Sequence, residues 1–332
     1  MTGASATLDV RQATDDDLPD VLELLQASLG WVPDDAYARF FAWKHQQSPF
    51  GRSPAWVAVD PAAEGRIVGF RTFSRWQFDR GGDTVTAVRA VDTATHPDYQ
   101  GRGIFSLLTR QALDELAAEK VGFVFNTPND RSRPGYFKMG WQLVERLPVA
   151  ATPRSPLSLV RLARARTPAD KWSAPTDAGV PVADVLADDA AVASLLAASR
   201  PDDGRLRTRR TPDYLAWRYG FPPLHYRAIV APGGVEEGLV VFRLRRRGAA
   251  LEAAVCEQIV PVGDDRTAPR LVRRLLRDTG AAHAVQIGRA RPAAGLLPVP
   301  GQGPTLVWRD LTETTMPPAD RWALGLGDIE LF

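Results

Sequence analysis

The sequence contains a single cysteine and lacks any long hydrophobic run. With only Cys256 in a chain of 332 residues, no intrachain disulfide is possible, which fits a reducing compartment. No apolar stretch approaches the roughly 20 residues that a membrane span requires, and the first residues show no basic region followed by an apolar core. We therefore expect a cytoplasmic protein without membrane contacts.

A strong charge of either sign is also missing. The 41 basic residues nearly balance the 39 acidic residues and leave a formal charge of +2, which gives no general reason to expect a nucleic-acid partner. No metal site is predicted. The chain is longer than one typical domain, so two domains are expected.

A strand that leads into a glycine-rich helix start is the most informative stretch of the sequence. Residues 84–95 favour β structure and end before Pro97, which cannot donate to a strand ladder. Gly101 and Gly103 follow, and apolar residues at helical spacing then predict an amphipathic helix. Unpaired amides at a helix start, next to glycines, favour an anion such as a phosphate. A tight turn before the helix would also account for the glycines.

Two common nucleotide loops do not match this junction. No Gly-Lys-Ser/Thr follows Gly103, and the third glycine of a dinucleotide fingerprint would fall at Ser106. The junction instead resembles the pyrophosphate loop, Gln/Arg-x-x-Gly-x-Gly/Ala, of the GNAT superfamily of acyl-CoA-dependent N-acyltransferases. The matching residues are Gln100-Gly-Arg-Gly103-Ile-Phe105. Phe105 departs from the pattern, because a small residue is usual at that place.

A second stretch carries the same resemblance. Asn129, Tyr136 and Gly140-Trp141 are similar to the downstream Asn...Tyr-x-x-x-Gly-Phe pattern of the superfamily, and a predicted helix and strand separate the two motifs. On this resemblance, residues 7–148 form a GNAT domain, an α/β fold with a mixed, mostly antiparallel sheet flanked by helices. Acetyl-CoA or another acyl-CoA would be the co-substrate.

The resemblance also implies which residues bind acyl-CoA. The loop and the first turn of its helix would hold the pyrophosphate, through Gln100, Gly101, Arg102, Gly103, Ile104, Phe105 and Ser106. Backbone groups of Val91, Thr93 and Thr95 would run alongside the pantetheine arm. Asn129 would hold the same arm, unless its side chain caps the helix that follows.

Amine acylation needs an acid and a base, because the amine attacks only when neutral and the leaving thiolate must be protonated. By resemblance the acid is Tyr136, although this tyrosine could instead pack under the helix at 134–139. Asp92 lies in an otherwise apolar strand, and we predict that it is half-buried with a raised pKa suited to a base. The alternatives are that Asp92 pairs with Arg89, and that His96 is the base.

The second half of the chain faintly repeats the first half. Three matches occur in order: Leu215-Ala-Trp-Arg-Tyr219 with Phe41-Ala-Trp-Lys-His45, Val241-Phe-Arg243 with Gly69-Phe-Arg71, and residues 249–260 with 84–95. A predicted helix from Thr267 to Thr279 follows, as a helix does in the first half. A repeat of this length indicates duplication of one fold.

The second copy differs at its loop, where Asp264 and Asp265 would repel a pyrophosphate. We therefore expect two tandem GNAT-like domains: a catalytic domain at 1–148, a linker at 149–179 with a short helix at 157–165, and a degenerate copy at 180–332. Arginine clusters of the second copy are expected on a solvated surface; they are Arg205–Arg210, Arg243–Arg247 and Arg270–Arg277.

These motifs together predict a tandem GNAT N-acyltransferase that acts on a primary amine, of a small molecule rather than of a protein. A Fem-like transferase that takes its acyl group from charged tRNA is a second hypothesis, which the glycine loop of residues 100–103 disfavours. A non-catalytic acyl-CoA-binding regulator is a third. By resemblance to tandem acyltransferases of the enhanced intracellular survival type, the terminal carboxylate of Phe332 is a further candidate for the base.

Overall fold

The chain folds into two compact units. A computed structural model describes residues 8–30, 35–156, 158, 169–313 and 315–330. The first unit comprises the residues up to 78, together with 84–145 and 306–317. The second unit comprises 79–83, 146–305 and the residues from 318 onward. We call these units the first copy and the second copy.

The first copy is a mixed sheet with helices. Its strands are β1 (Asp9–Gln12), β2 (Ala55–Asp60), β3 (Arg66–Arg80), β4 (Asp83–Thr95), β5 (Phe123–Asn126) and β6 (Gln142–Arg146), with a late strand at Thr305–Asp310. Its helices are α1 (Leu18–Leu29), α2 (Asp35–His45), α3 (Ile104–Ala118) and α4 (Arg133–Lys138). In the sheet the order is β1-β2-β3-β4-β5, then the late strand, then β6.

Close packing of α3 on the sheet fixes the helix that starts at the glycine loop. A Cβ on Gly69 of β3 would lie 2.5 Å from Ile104 Cγ2, so only glycine allows the helix to come this near. The buried face of α3 carries Leu108, Ala112, Leu113 and Leu116, which pack in one core cluster with strand residues such as Val68 and Val88. The predicted helical spacing is confirmed.

The sheet opens at β4 and β5. These strands pair in parallel only from Ala87↔Phe123 to Arg89↔Phe125. Because β5 ends at Asn126 while β4 continues to Thr95, the later part of β4 has no β5 partner. The stretch without a β5 partner includes residues 91–95, which the resemblance assigns to the pantetheine arm.

The second copy has its own sheet. The strands of the second copy are β7 (Val149–Pro153), β8 (Val180–Pro181), β9 (Arg207–Thr208), β10 (Arg227–Val230), β11 (Leu239–Arg247), β12 (Ala250–Ile259), β13 (His283–Ile287) and β14 (Leu297–Pro298). The short β9 is not part of this sheet, and the late strand of the first copy is β15. The sheet order is β14-β7-β13-β12-β11-β10-β8. Helices are α5 (Val182–Leu186), α6 (Asp189–Ala198), α7 (Pro212–Tyr219), α8 (Thr267–Thr279) and α9 (Leu326–Ile329).

Strand register confirms that the two copies share one topology. The sequence match of 84–95 with 249–260 aligns Ala87 with Glu252, and these two residues open the parallel ladders of their copies, as Ala87↔Phe123 and Glu252↔His283. Each ladder is three pairs long. Helices α3 and α8 connect the paired strands in the two copies. The fold class of two tandem GNAT-like domains is confirmed.

The domain boundaries differ from those predicted. Residues 149–153 form β7, which pairs with β13, so the start of the expected linker belongs to the second sheet. β15 pairs with β5 and lies between β5 and β6 in the first sheet. Its Val307 belongs to the first core cluster. The helix expected at 157–165 lies, apart from Ser158, outside the described residues, as does Phe332. None of the described helices is both long and apolar enough for a membrane span.

Candidate active site

The glycine loop at the start of α3 has an exposed backbone. Gly101 and Gly103 both have φ of +78°, a conformation that favours glycine, and a Cβ on either residue would meet no atom within 4 Å. Gly103 is the N-cap of α3, and no described side chain caps this helix. The first amides of the helix therefore lack a side-chain partner at the positive end of its dipole.

Neighbouring side chains hold the loop in this shape. Arg102 is exposed, its guanidinium lies 4.6 Å from the centre of the Tyr99 ring, and its Nη2 donates to the carbonyl of Asp98 at 3.0 Å. The hydroxyl of Tyr99 donates to Asp60 at 2.7 Å and so ties the turn to the end of β2. The exposed Gln100 completes the loop.

Phe105, the departure from the superfamily pattern, packs against α4. Its ring meets the ring of Tyr136 edge-on, with centroids 5.4 Å apart. A Cβ on Gly135 would lie 3.2 Å from Phe105 Cε1, so the glycine in α4 makes room for the large ring. Ile104 is buried in the core, whereas Phe105 and Ser106 are half-buried.

Tyr136 is buried, and a cation fixes its hydroxyl. Its exposed fraction is 4%, and its ring packs on Trp141 as well as on Phe105. Arg71 Nη2 donates to the hydroxyl oxygen at 2.9 Å. Because a phenol has one proton and two lone pairs, this contact leaves the O–H of Tyr136 to donate in another direction. The tyrosine thus packs inside the domain, as the alternative proposed, while its hydroxyl keeps a polar environment.

Arg71 is a site residue that the sequence analysis did not single out. It is fully buried on β3, and its Nη1 donates to the carbonyl of Val91 at 3.1 Å. Its Nε has no partner, and none of the described carboxylates lies within ion-pairing distance. The guanidinium is 4.4 Å from the ring centre of Phe73 and 5.4 Å from that of Phe105. Its signal in the sequence was the repeat, in which Gly69-Phe-Arg71 matches Val241-Phe-Arg243.

The predicted raised pKa of Asp92 is wrong. Its carboxylate lies 2.9 Å from Lys44 Nζ and 2.8 Å from His45 Nε2. Burial alone would raise the pKa of Asp92, but the charge of Lys44 and the hydrogen bond from His45 outweigh it and hold this pKa well below its usual range. Asp92 is therefore an ionised anchor for α2. Its ionic partner is not Arg89, which donates to Thr127 at 3.3 Å.

Neither histidine near this strand has the features of a base. Burial lowers the pKa of His45, despite the opposing effect of Asp92, and His45 Nδ1 lies 3.1 Å from Ser53 Oγ. His96 accepts the backbone N–H of Asp98 at 3.3 Å, which is the turn role. Both rings therefore serve local structure.

The remaining predicted residues take part in local hydrogen bonds. Asn129 Oδ1 accepts the backbone N–H groups of Arg131 at 3.1 Å and Ser132 at 2.9 Å, so the capping role is present. Thr93 donates its hydroxyl to the carbonyl of Phe70 at 3.2 Å, and the carbonyl of Thr95 accepts from Ser28 at 3.1 Å. Among the described residues, no cluster of side chains could hold a metal ion.

The second copy fills the equivalent places with its own groups. Asp264 Oδ1 accepts the amides of Arg266 and Thr267, both at 2.9 Å, at the start of α8. On β12, a Cβ on Gly327 would lie 3.0 Å from the carbonyl of Cys256, the residue that aligns with Val91. The C-terminal segment thus lies beside the part of β12 that extends beyond its pairs with β13.

Two of the expected surface arginine clusters take part in ion pairs inside the second copy. Arg243 holds Glu330 through Nη2 at 2.8 Å, and Arg245 also contacts Glu330. Arg210 pairs with Glu257 at 2.8 Å and with Asp328 at 3.2 Å. These arginines are not a solvated face.

Comparisons with known proteins agree with this geometry. An acetyltransferase (GNAT) domain model matches residues 9–144. A probable N-acyltransferase from Enterococcus faecalis V583, a conserved protein of unknown function, is 15% identical with a TM-score of 0.64, over 92% of this chain and 73% of that one. A comparison with curated proteins gives no match.

Two further solved structures share the fold over nearly the whole chain. A GCN5-related N-acetyltransferase from Kribbella flavida is 18% identical with a TM-score of 0.62, over 91% of this chain and 72% of that one. Eis1 from Mycobacterium abscessus is 15% identical with a TM-score of 0.55, over 92% of this chain and 74% of that one. Identities this low establish the fold alone, and the family follows from the domain match together with the two motifs: residues 9–144 are a GNAT acetyltransferase domain.

Proposed function

We propose that the chain is an acyl-CoA-dependent N-acyltransferase that transfers an acetyl or related acyl group to a primary amine of a small molecule. The observation that carries this proposal is the uncapped start of α3, with Gly101 and Gly103 open to solvent. It lies in a fold whose β4 continues past its last pair with β5. We include a cytoplasmic location in the proposal, because the one cysteine is buried and reduced.

The residues of the loop fit a pyrophosphate. The amides of Ile104, Phe105 and Ser106 are the first of α3 and receive no side-chain cap, and the neighbouring Gln100, Gly101 and Gly103 are exposed. Arg102 adds a positive charge at the same edge.

The pantetheine arm would follow the unpaired part of β4. Val91, Thr93 and Thr95 lie beyond the last pair of β4 with β5, so this edge of the strand can pair with the arm in the manner of an added strand, while the carbonyls of Val91 and Thr95 also accept from Arg71 and Ser28. Asn129 caps its own turn through Oδ1, and its NH2 group has no partner among the described residues, so this group can donate to the same arm.

Bound acyl-CoA supplies the thioester, and the chain supplies position and a proton. In a ternary complex the neutral amine attacks the thioester carbon, an amide bond forms, and the C–S bond breaks. Tyr136 donates its hydroxyl proton to the leaving sulfur, and Arg71 stabilises the phenolate through the 2.9 Å contact. The nitrogen loses one proton to solvent and the phenolate of Tyr136 takes one proton back, so the net products are the amide and the free thiol of coenzyme A. Asp92, held by Lys44 and His45, is not assigned as the base.

We further propose that the second copy is a degenerate domain without acyl-CoA. Asp264 already satisfies the amides at the start of α8, and its carboxylate would repel a phosphate. Gly327 packs at Cys256, beside the equivalent of the pantetheine strand. Both places are therefore occupied by the chain itself.

The proposed function is tested by thiol release. Purified protein, acetyl-CoA and a panel of primary amines are mixed, and free coenzyme A is followed with a thiol reagent. We expect release that depends on an amine and is accompanied by the matching N-acetyl product in mass spectrometry. Thermal stabilisation by coenzyme A without any turnover on the panel would favour the non-catalytic regulator instead.

A further inference from the structure

Arg71 is a buried cation without a counter-charge. Its side chain is fully buried, its two contacts are the carbonyl of Val91 and the neutral hydroxyl of Tyr136, and its Nε has no partner. No carboxylate of the described residues pairs with it. A guanidinium removed from water costs free energy unless an anion or a full set of acceptors compensates it. The edge formed by Nε and Nη2 therefore lacks a partner of the kind it is shaped to bind.

The second copy shows what this edge binds when its partner is present. The sequence repeat matches Gly69-Phe-Arg71 on β3 with Val241-Phe-Arg243 on β11, so Arg243 is the counterpart of Arg71 in sequence. Arg243 donates from Nε to Glu330 Oε2 at 3.1 Å and from Nη2 to Oε1 at 2.8 Å. The equivalent edge thus grips a carboxylate with two parallel hydrogen bonds.

The two arginines differ in the partners of this edge. In the second copy the carboxylate arrives on the C-terminal segment, which also places Gly327 at Cys256. In the first copy Nη2 contacts the phenol of Tyr136, and Nε contacts nothing. Planar bidentate donors recognise carboxylates far better than neutral oxygens.

We propose that the Nε–Nη2 edge of Arg71 binds a carboxylate of the acceptor, so that the amine substrate is an amino acid. This inference deepens the proposed function and rests on it. The edge lies beside the hydroxyl of Tyr136, the group assigned to protonate the leaving sulfur. An α-amino acid held there by its carboxylate carries its amino group next to the reacting thioester. The rings of Phe73, Phe105 and Tyr136 around the guanidinium exclude water and strengthen the ion pair.

Matched acceptors test the inference directly. The proteinogenic amino acids are compared with their decarboxylated amines, for example phenylalanine with phenethylamine, and kcat/KM is measured with acetyl-CoA. We expect at least one amino acid to exceed its amine by about 100-fold or more, because a site built for a charged partner rejects the analogue that lacks it. Equal rates for all pairs would overturn the inference and leave the acyltransferase assignment intact.

Two substitutions locate the preference at Arg71. Arg71→Met removes the charge and both donors. Because Arg71 also contacts the hydroxyl of Tyr136, we expect the rate with the plain amines to fall, and the rate with the preferred amino acid to fall about 100-fold further, which abolishes the preference. Arg71→Lys keeps the charge without the paired donors and should retain part of the preference. If kcat/KM falls equally for amino acids and amines, Arg71 acts only through Tyr136, and this result would contradict carboxylate binding.

Calorimetry gives a readout that needs no turnover. Amino acids are titrated into the protein saturated with coenzyme A, with the wild type and the Arg71 variants. We expect the preferred amino acid to bind to the wild type, and its affinity to fall at least about tenfold in Arg71→Lys. If no amino acid binds while coenzyme A does, the inference fails but the cofactor assignment stands; if coenzyme A does not bind either, the proposed function itself fails. Should Arg71→Met not fold, the Lys variant and the wild-type acceptor comparison still decide the question.

Discussion

The two copies have the same framework, but they differ in what completes it. Among the described residues of the first copy, the start of α3 is uncapped, the end of β4 lacks a partner on its β5 side, and Arg71 lacks an anion. In the second copy Asp264 caps the start of α8, Gly327 lies at Cys256, and Glu330 pairs with Arg243, the sequence counterpart of Arg71. The comparison teaches that a duplicated fold can satisfy internally the same groups that its twin leaves for a ligand.

The polar residues around the strands are duplicated as well. His45 Nε2 lies 2.8 Å from Asp92, and Tyr219, its counterpart, donates to Glu257 at 2.8 Å. The sequence match of 84–95 with 249–260 aligns Asp92 with Glu257. A carboxylate at this strand position therefore holds the end of the preceding helix in both copies. This role explains why Asp92 is ionised and paired rather than poised as a base.

The largest expected effect concerns the internal carboxylate of the second copy. Glu330→Gln leaves Arg243 and Arg245 without their shared anion, and we expect the free energy of unfolding to fall by about 3–5 kcal/mol. Urea denaturation followed by circular dichroism measures the change. Glu236→Gln, at an exposed carboxylate of the same copy, should stay within about 0.5 kcal/mol. Equal effects would show that Glu330 is not an internal counter-ion.

Substitution of a tyrosine in the first copy should affect activity, whereas substitution of a tyrosine in the second copy should affect stability. Tyr136→Phe removes the proton donor, so we expect kcat to fall about 100-fold while the affinity for coenzyme A stays within about threefold. Tyr219→Phe removes the hydrogen bond to Glu257 and should lower stability by about 1 kcal/mol without changing kcat. An unchanged kcat in Tyr136→Phe would contradict its role as the acid.

The smallest expected effect is a difference in acid sensitivity. The pKa of Asp92 is lowered, so its stabilisation is present above the ordinary aspartate pKa of about 4 and is lost as the pH falls further. Burial raises the pKa of Glu257, so protonation at low pH removes the free-energy cost of burying its charge. In the wild type, acidification should lower the free energy of unfolding by on the order of 2 kcal/mol through Asp92, and Asp92→Asn should abolish this loss. Glu257→Gln should leave the loss in place. Unfolding midpoints measured as the pH is lowered check this, and parallel slopes for both variants would contradict the assignment.

Much of the fold was accessible from the sequence, because local signals agreed with the final structure. The helix predicted at Thr267–Thr279 has those bounds in the structure, and the strand predicted at 84–95 is β4, Asp83–Thr95. Glycine spacing located the loop at residues 100–103. The boundary near residue 149 was missed because β7 and β15 pair with strands far away in the chain, which no local pattern reports.

The candidate site was only partly accessible for the same reason. Gln100–Gly103 and Tyr136 belong to contiguous motifs, whereas Arg71 reaches Tyr136 across 65 positions of the chain. Lys44 and His45 meet Asp92 only after α2 packs near β4, so the direction of the pKa shift of Asp92 was not predictable. Such contacts depend on topology rather than on the spacing of residues.

Calorimetric titration with coenzyme A tests the central claim most directly. The wild type should bind, and Gly103→Glu should lose at least about 100-fold in affinity, because a carboxylate and its bulk enter the phosphate site. Gly82→Glu, at an equally open left-handed glycine in the turn between β3 and β4, is the matched control and should bind as the wild type does. Unchanged affinity in Gly103→Glu, or no binding by the wild type, would contradict the account.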